Sequence, residues 1–392
     1  MRIDGFDGEI TTDPAALAAA ADDFGHVVHR LPMAVARPRN QADVVAAIRT
    51  GIPVVARGCG HATGGQAQVA DGIVLDMTDL TAVHDVTEDR IVVDAGRTWR
   101  DVVAAAPGRT PPVLTDYLGV TVGGTLSAGG IGGTSHRYGV QTDNVLALDV
   151  VTGDGRVVTC SPVADVDVFH AVLAGYGRAG IITRATLRLV PAPTMVRRHL
   201  IRYSTAEARA ADQRRLIADG RFAHVQGQII AGDDGWLHLL EAGAYDPPDE
   251  PTDLPPAEIT ELTYAEFADR LADGEAFLRQ TGEWLHPHPW WNAFLPDSTV
   301  DDFMARLTHH LTPAALGASG LVLTYPIHTA PLHTPRFRVP AEPVVWLVAL
   351  LRTAPPDDPT ELAKLLADND YWYDQAIAAG GTVYPIGTPR PT

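Results

Sequence analysis

The sequence has little cysteine, little positive charge and no long apolar run, and each shortage removes a class of function. Only Cys59 and Cys160 occur in 392 residues, too few for a thiolate zinc site or a disulfide framework. Lys and Arg total 30 against 48 Asp and Glu, a formal net charge of −18. With no basic tract either, the chain lacks the means to bind nucleic acid or an anionic membrane surface. No segment reaches the roughly 20 apolar residues that span a bilayer. The opening "MRIDGFDGEITTDPAALAAAADDFG" carries acids early and has no apolar stretch behind a basic flank, so no secretory signal is expected and the location expected is cytoplasmic. What is present, 46% hydrophobic and 20% charged residues, suits a soluble globular chain with a sizeable core. The length suggests two or three domains.

Up to about residue 195 the pattern reads α+β. Asp13-Pro14 opens a short helix, and "NQADVVAAIRTG" reads as a second, closed by Gly51. "IPVVARG", "GIVLDM" and "RIVVDAG" read as strands, "TWRDVVAAA" as a helix, and "ALDVVTGDGRVVTC" as a hairpin. "GIITRATLRLVPAP" is a strand ending at prolines. Beyond it, "STAEARAADQRRLIADG" and "TYAEFADRLADGEAFLRQTG" read as helices, and "HVQGQIIAG" and "WLHLLEAGAY" as strands able to pair. "DPPDEPTDLPP" is an acidic, proline-rich surface loop, and "GLVLTYPIH" and "VVWLVALLRT" are apolar strands. This middle block reads as a second α+β domain.

Two glycine-dense stretches stand out. "RGCGHATGGQ" (residues 57–66) surrounds His61 with Gly58, Gly60, Gly64 and Gly65. Glycine in a structured region costs about 0.5–1 kcal/mol relative to alanine, so this loop is either an ordinary surface turn or one that lies against something flat or phosphorylated. Residues 114–144, "LTDYLGVTVGGTLSAGGIGGTSHRYGVQTDN", place Thr121, Thr125 and Ser127 among Gly123, Gly124, Gly129, Gly130, Gly132 and Gly133. Glycine amides and small hydroxyls make a cradle for phosphate oxygens, and two such loops could hold the ends of a large phosphorylated cofactor. "GYGRAG" at residues 175–180 matches the dinucleotide fingerprint literally, but a helical segment precedes it and a strand follows, with no acid about 20 residues on. That order excludes a nicotinamide reading. His286 and His288 have no third ligand nearby, so no metal is expected; His136 and Arg137 read equally as anion ligands or as a solvated loop.

"RGCGHATGGQAQ" resembles the flavin-linking loop of the vanillyl-alcohol-oxidase-type flavoproteins. "TDYLGVTVGGTLS", "RYGVQTDNVLALDVVTGDGRVVTCS", "HPHPWWNAFLP", "LTYPIH" and "VVWLVALLRTAPP" resemble cytokinin dehydrogenases, in order, over residues 35–385. The resemblance implies an α+β, two-domain PCMH-type FAD-binding fold with an antiparallel-sheet cap. It implies an FAD-binding domain at 1–195, a substrate-binding cap at 196–335, and a return segment of the FAD domain at 336–392. It implies FAD joined at its 8α-methyl to His61, with Ala56, Gly58, Cys59, Gly60, Ala62, Gln66, Tyr117, Thr121, Gly124, Ser127, Ile131, Ile182 and Tyr384 at the cofactor. Asp116 matches the aspartate that accepts a hydrogen bond from a substrate amine while hydride passes to flavin N5, and Gln226 and Trp290 match substrate contacts. Dioxygen or a quinone would take the electrons. On spacing alone, Asp116 is a turn residue and Trp290 is core as readily as channel.

The chain departs from the family pattern in several places. Ala62 stands where serine is usual, with Thr63 able to supply the hydroxyl; Ala128 replaces an asparagine; and Gln226 replaces a glutamate near the substrate entrance, which bears on adenine recognition. Cys59 raises a second thioether link, but that cysteine belongs in the other glycine-rich loop in enzymes that have it. One covalent bond is therefore expected, with Cys59 a small buried residue. The family chain continues beyond "GGTVYPIGTPRPT", implying a shorter chain or a less complete cofactor site here. Alternatives are a same-fold oxidase of an alcohol or natural-product intermediate, and a non-catalytic binding protein that kept the fold.

Overall fold

Caps and turns set the early elements as their residues imply. In the computed structural model, which describes residues 1–233, 235–247 and 253–388, Asp13 accepts the amides of Ala15 and Ala16 to start the helix Pro14–Ala20. Asn40 caps the helix Gln41–Arg49 through the Asp43 amide. Residues 248–252 of the acidic, proline-rich loop lie outside the described residues.

The chain divides into two units. The first comprises Met1–Gly130, Val140–Pro191 and Thr334–Phe337. It holds a four-stranded sheet in the order Glu9–Thr11, Ala34–Arg37, Ile73–Asp76, Val54–Arg57, whose last two pairings are parallel. Val35 and Val55 both register with Val74. Ala36, Val44, Ala47, Ile73 and Leu75 form its core with the helix Gln41–Arg49. A five-stranded antiparallel sheet follows, in the order Val83–Val86, Arg90–Asp94, Gly180–Arg188, Val145–Thr152, Val157–Cys160. The short strand Val83–Val86 was not anticipated, because "VHDV" shows no apolar alternation: Val83 and Asp85 are half-buried, while His84 and Val86 are exposed.

The second unit comprises Ile131–Gly139, Ala192–His333 and Arg338–Thr392. Its sheet has eight antiparallel strands in the order Ala257–Thr263, Met195–Tyr203, Gly235–Tyr245, His224–Gly232, Leu321–His328, Val344–Leu351, Trp291–Pro296, Thr382–Val383. "HVQGQIIAG" and "WLHLLEAGAY" do pair, with Gln226 opposite Glu241. Residues 338–392 belong to this unit, whereas the sequence reading returned 336–392 to the first. The reason is Val344–Leu351 and Thr382–Val383, which add strands to this sheet, and the helix Pro359–Ala378, which packs on it. The segment "TYAEFADRLADGEAFLRQTG" is two helices, Tyr264–Ala268 and Ala272–Thr281, rather than one.

Every residue of Trp291–Pro296 is buried, the polar Asn292 included, so this strand is covered on both faces. Trp291 stacks on Phe303, with ring centroids 5.8 Å apart and planes 9° apart, and meets Tyr373. Trp291→Ala should lower the unfolding free energy by ~3–5 kcal/mol. Equilibrium denaturation measures it, and a loss near zero would mean that this core closes over the gap.

Candidate functional site

In the first unit the two glycine-dense loops meet. The strand Val54–Arg57 carries half-buried Ala56 and releases the first loop at Gly58, which lies so close to the second that a Cβ on it would sit 2.1 Å from Thr121 Oγ1. Thr121 in turn caps the helix Val122–Leu126 by accepting the Gly124 amide at 3.3 Å, and Ser127 closes that helix by donating to Gly123 O at 2.7 Å. Cys59 is exposed rather than the small buried residue expected, and its sulfur accepts the amides of His61 and Thr121 where the two loops meet. Gln66 folds back on its own loop to accept the Gly64 amide at 2.9 Å.

The His61 imidazole lies beside two rings, Phe24 at 4.2 Å and 28° and Tyr117 at 4.8 Å and 36°. Asp116, next to Tyr117, is half-buried in the loop before Thr121. Ile182 is buried in the strand Gly180–Arg188. The "GYGRAG" turn has a use unrelated to nucleotide binding. Ala174 and Tyr176 adopt left-handed φ of 51° and 53°, and their amides donate to Leu126 O and Ser127 O at 2.9 Å. The turn thereby terminates the helix of the second glycine loop.

Sequence reasoning missed Asp23 and Phe24. Asp23 is buried, and its carboxylate accepts the Gly65 amide at 2.7 Å and the Gly25 amide at 3.0 Å. Burial raises its pKa, while these two amides and Arg57 oppose that rise. Roughly 40 residues of sequence separate this turn from the loop that it holds, and no spacing rule links them.

Ile131, Gln226, Trp290 and Tyr384 lie in the second unit, with the loop Ile131–Gly139 attached through the Val225 amide to Gly133 O at 3.1 Å. Trp290 is half-buried, its ring edge-on to His288 at 5.9 Å, whereas its neighbour Trp291 is core. Tyr384 is buried against Phe294 at 5.1 Å. His136 is not on a solvated loop. It is buried with Nδ1 bonded to Gly133 O at 2.9 Å, and burial followed by the Arg137 charge lowers its pKa to about 3. A neutral ring of that kind is no counterion for phosphate. Arg137 reaches Gly220 O instead.

Gln226 is buried among charges. Its Oε1 accepts from Arg270 at 3.1 Å and lies 3.2 Å from His224 Nε2. Arg270 also donates to Glu241 at 3.1 Å, as Arg198 does at 2.6 Å. A lone glutamate inside the apolar "WLHLLEAGAY" was the one sequence signal for this cluster. Burial disfavours the Glu241 charge, but Arg270, His224 and Arg198 together outweigh it and leave the carboxyl below its usual range. With the folded pKa below the unfolded value, Glu241 contributes stability above about pH 4.3. That contribution is lost as pH falls through the lowered folded pKa. Glu241→Gln should cost ~3–5 kcal/mol by leaving buried cations unpaired, and acid unfolding should become less steep. An unchanged acid limb in pH titration of stability would remove Glu241 from this role.

The donor set of the first unit is an imidazole, backbone amides and small hydroxyls. No group of side chains suited to a metal occurs among the described residues. Such a set fits a planar, phosphorylated cofactor rather than an ion. No helix among the described residues is long and apolar enough to cross a membrane.

The FAD binding domain family matches residues 32–161, and the family described as cytokinin dehydrogenase 1, FAD and cytokinin binding, matches 257–380. The chain is 42% identical to a Rhodococcoides fascians protein described as the uncharacterized oxidoreductase ORF5 in a fasciation locus, over 96% of this chain and 89% of that one. It is 38% identical to cytokinin dehydrogenase 10 of Oryza sativa subsp. japonica, over 88% and 74% of the two chains. It is 34% identical to cytokinin dehydrogenase 2 of Arabidopsis thaliana, over 91% and 81%. Two families matched in succession and relatives aligned over most of both chains place this chain among the FAD-dependent oxidoreductases of the cytokinin dehydrogenase family.

Proposed function

We propose that FAD is bonded through its 8α-carbon to His61 and that the enzyme oxidises a carbon beside an amine nitrogen, with Asp116 as the base. The observation that carries this reading is the meeting of two glycine-rich loops at one imidazole, with Asp116 adjacent in sequence to the ring beside that imidazole. FAD, when bound, would supply the two-electron acceptor for the hydride, and dioxygen or a quinone would take the electrons on. Asp116 accepts the substrate N–H proton, a role that needs a carboxylate within hydrogen-bond reach of that nitrogen. Ala56, Gly58, Cys59, Gly60, Ala62, Gln66, Tyr117, Thr121, Gly124, Ser127 and Ile182 of the first unit line the cofactor.

The first unit holds the cofactor, and the second selects the substrate through Gln226 and Trp290. Arg270 can only donate, so the oxygen of the Gln226 amide faces it. The amide is then left with donors to offer, which favours a substrate bearing an acceptor, such as a ring nitrogen or a carbonyl, at that point. Anaerobic mixing with N6-isopentenyladenine, phenols and simple alcohols tests the reading. Bleaching of the flavin by the adenine amine is expected; bleaching by alcohols alone would replace the amine reading with the alcohol-oxidase one.

A further inference from the structure

The turn at residues 22–25 makes more contacts with the first glycine loop than a passing chain segment needs. The Phe24 amide donates to Gly60 O at 2.9 Å and the Gly25 amide to Ala62 O at 3.1 Å, so the two residues flanking His61 are both pinned. Asp23 ties the far end of the loop through the Gly65 amide at 2.7 Å and its own turn through Gly25 at 3.0 Å. Gly25 packs backbone to backbone on the loop, where a Cβ would lie 2.2 Å from Thr63 O. The Phe24 ring then stacks on the imidazole itself at 4.2 Å and 28°. Neither holding the FAD phosphates nor proton transfer at Asp116 calls for any of this.

We propose that Asp23 and Phe24 are positioning residues for flavin attachment. Asp23 fixes the loop, and Phe24 fixes the plane of the His61 ring so that a nitrogen faces the 8α-carbon. This inference rests on the reading that His61 carries the flavin. In the attachment, an imidazole nitrogen bonds to the 8α-carbon while one C–H bond there and one N–H bond of the ring are broken. The two hydrogens end as two protons and two electrons on the isoalloxazine, and dioxygen takes them up as hydrogen peroxide. A ring free to rotate about its Cβ–Cγ bond would spend little time aligned, and restricting such rotors is a large part of what orientation contributes to a rate.

The test is the time course of attachment in preparations incubated with FAD in air. Intact mass after denaturation reads linked FAD, and total flavin per folded chain is measured alongside. The variants are Phe24→Leu, Phe24→Tyr and Asp23→Asn, the last removing one of the two amide acceptors while keeping size. Phe24→Leu and Asp23→Asn are expected to bind FAD at unchanged stoichiometry but to link it at least ~10-fold more slowly, and Phe24→Tyr to link at close to the normal rate. Linkage at the wild-type rate in both slow candidates would overturn the proposal. So would loss of total flavin in parallel with linkage, since the turn would then serve folding or binding alone. Wild-type protein that binds FAD yet never gains its mass would overturn the His61 reading itself, a result distinct from either.

Discussion

His61→Ala should release its flavin. Acid precipitation of the wild-type protein is expected to leave the yellow colour in the pellet, and that of the variant to leave it in the supernatant. The variant keeps both glycine loops, because their meeting depends on Gly58 against Thr121 and on the Asp23 amide contacts rather than on the imidazole. It should therefore still bind FAD, more weakly, through amides and hydroxyls alone. Its flavin should also be harder to reduce, since the bond at the 8α-carbon replaces hydrogen with an electron-withdrawing nitrogen. A dye-equilibration titration reads that downward shift. Wild-type chains that lack the mass of one FAD after denaturation of a flavin-loaded preparation would end the covalent assignment and leave the family membership untouched.

Asp116→Asn should keep its flavin and lose its rate. The asparagine has nearly the same shape and sits in the same loop, so the attachment loop and the cap at Thr121 are undisturbed. What disappears is the capacity to accept a proton. General-base assistance is typically worth 10²–10⁴ in rate, so the reductive half-reaction with an amine substrate should slow by at least ~100-fold. Stopped-flow bleaching at substrate saturation measures it apart from binding and from reoxidation. Bleaching at the wild-type rate would take Asp116 out of the mechanism.

The local elements were legible because their signals are local. Asp13 and Asn40 accept amides two or three residues away, and "GDG" turns the chain between two β-branched runs. Glycine density marked both loops for the same reason: the backbone constraint falls on the residues that carry the signal. The break in "TYAEFADRLADGEAFLRQTG" escaped because a turn between helices can be made of ordinary helix-forming residues such as Arg270 and Leu271.

Tertiary structure alone decided the rest. The Cys59 sulfur receives amides from two loops distant in sequence, His61 in its own and Thr121 in the other. Trp290 stays half-buried just ahead of the strand Trp291–Pro296, whereas Trp291 opens that strand and packs on Phe303 and Tyr373, partners that sequence spacing does not name. The last strands join the second sheet because long-range pairing, with its apolar burial, sets where a segment ends up. Residues 22–25 hold the His61 loop through backbone amides and one stacked ring. Backbone groups are the same in every residue, so the sequence by itself determined the family, the two loops and the candidate histidine and aspartate, while only the folded chain could show what holds them.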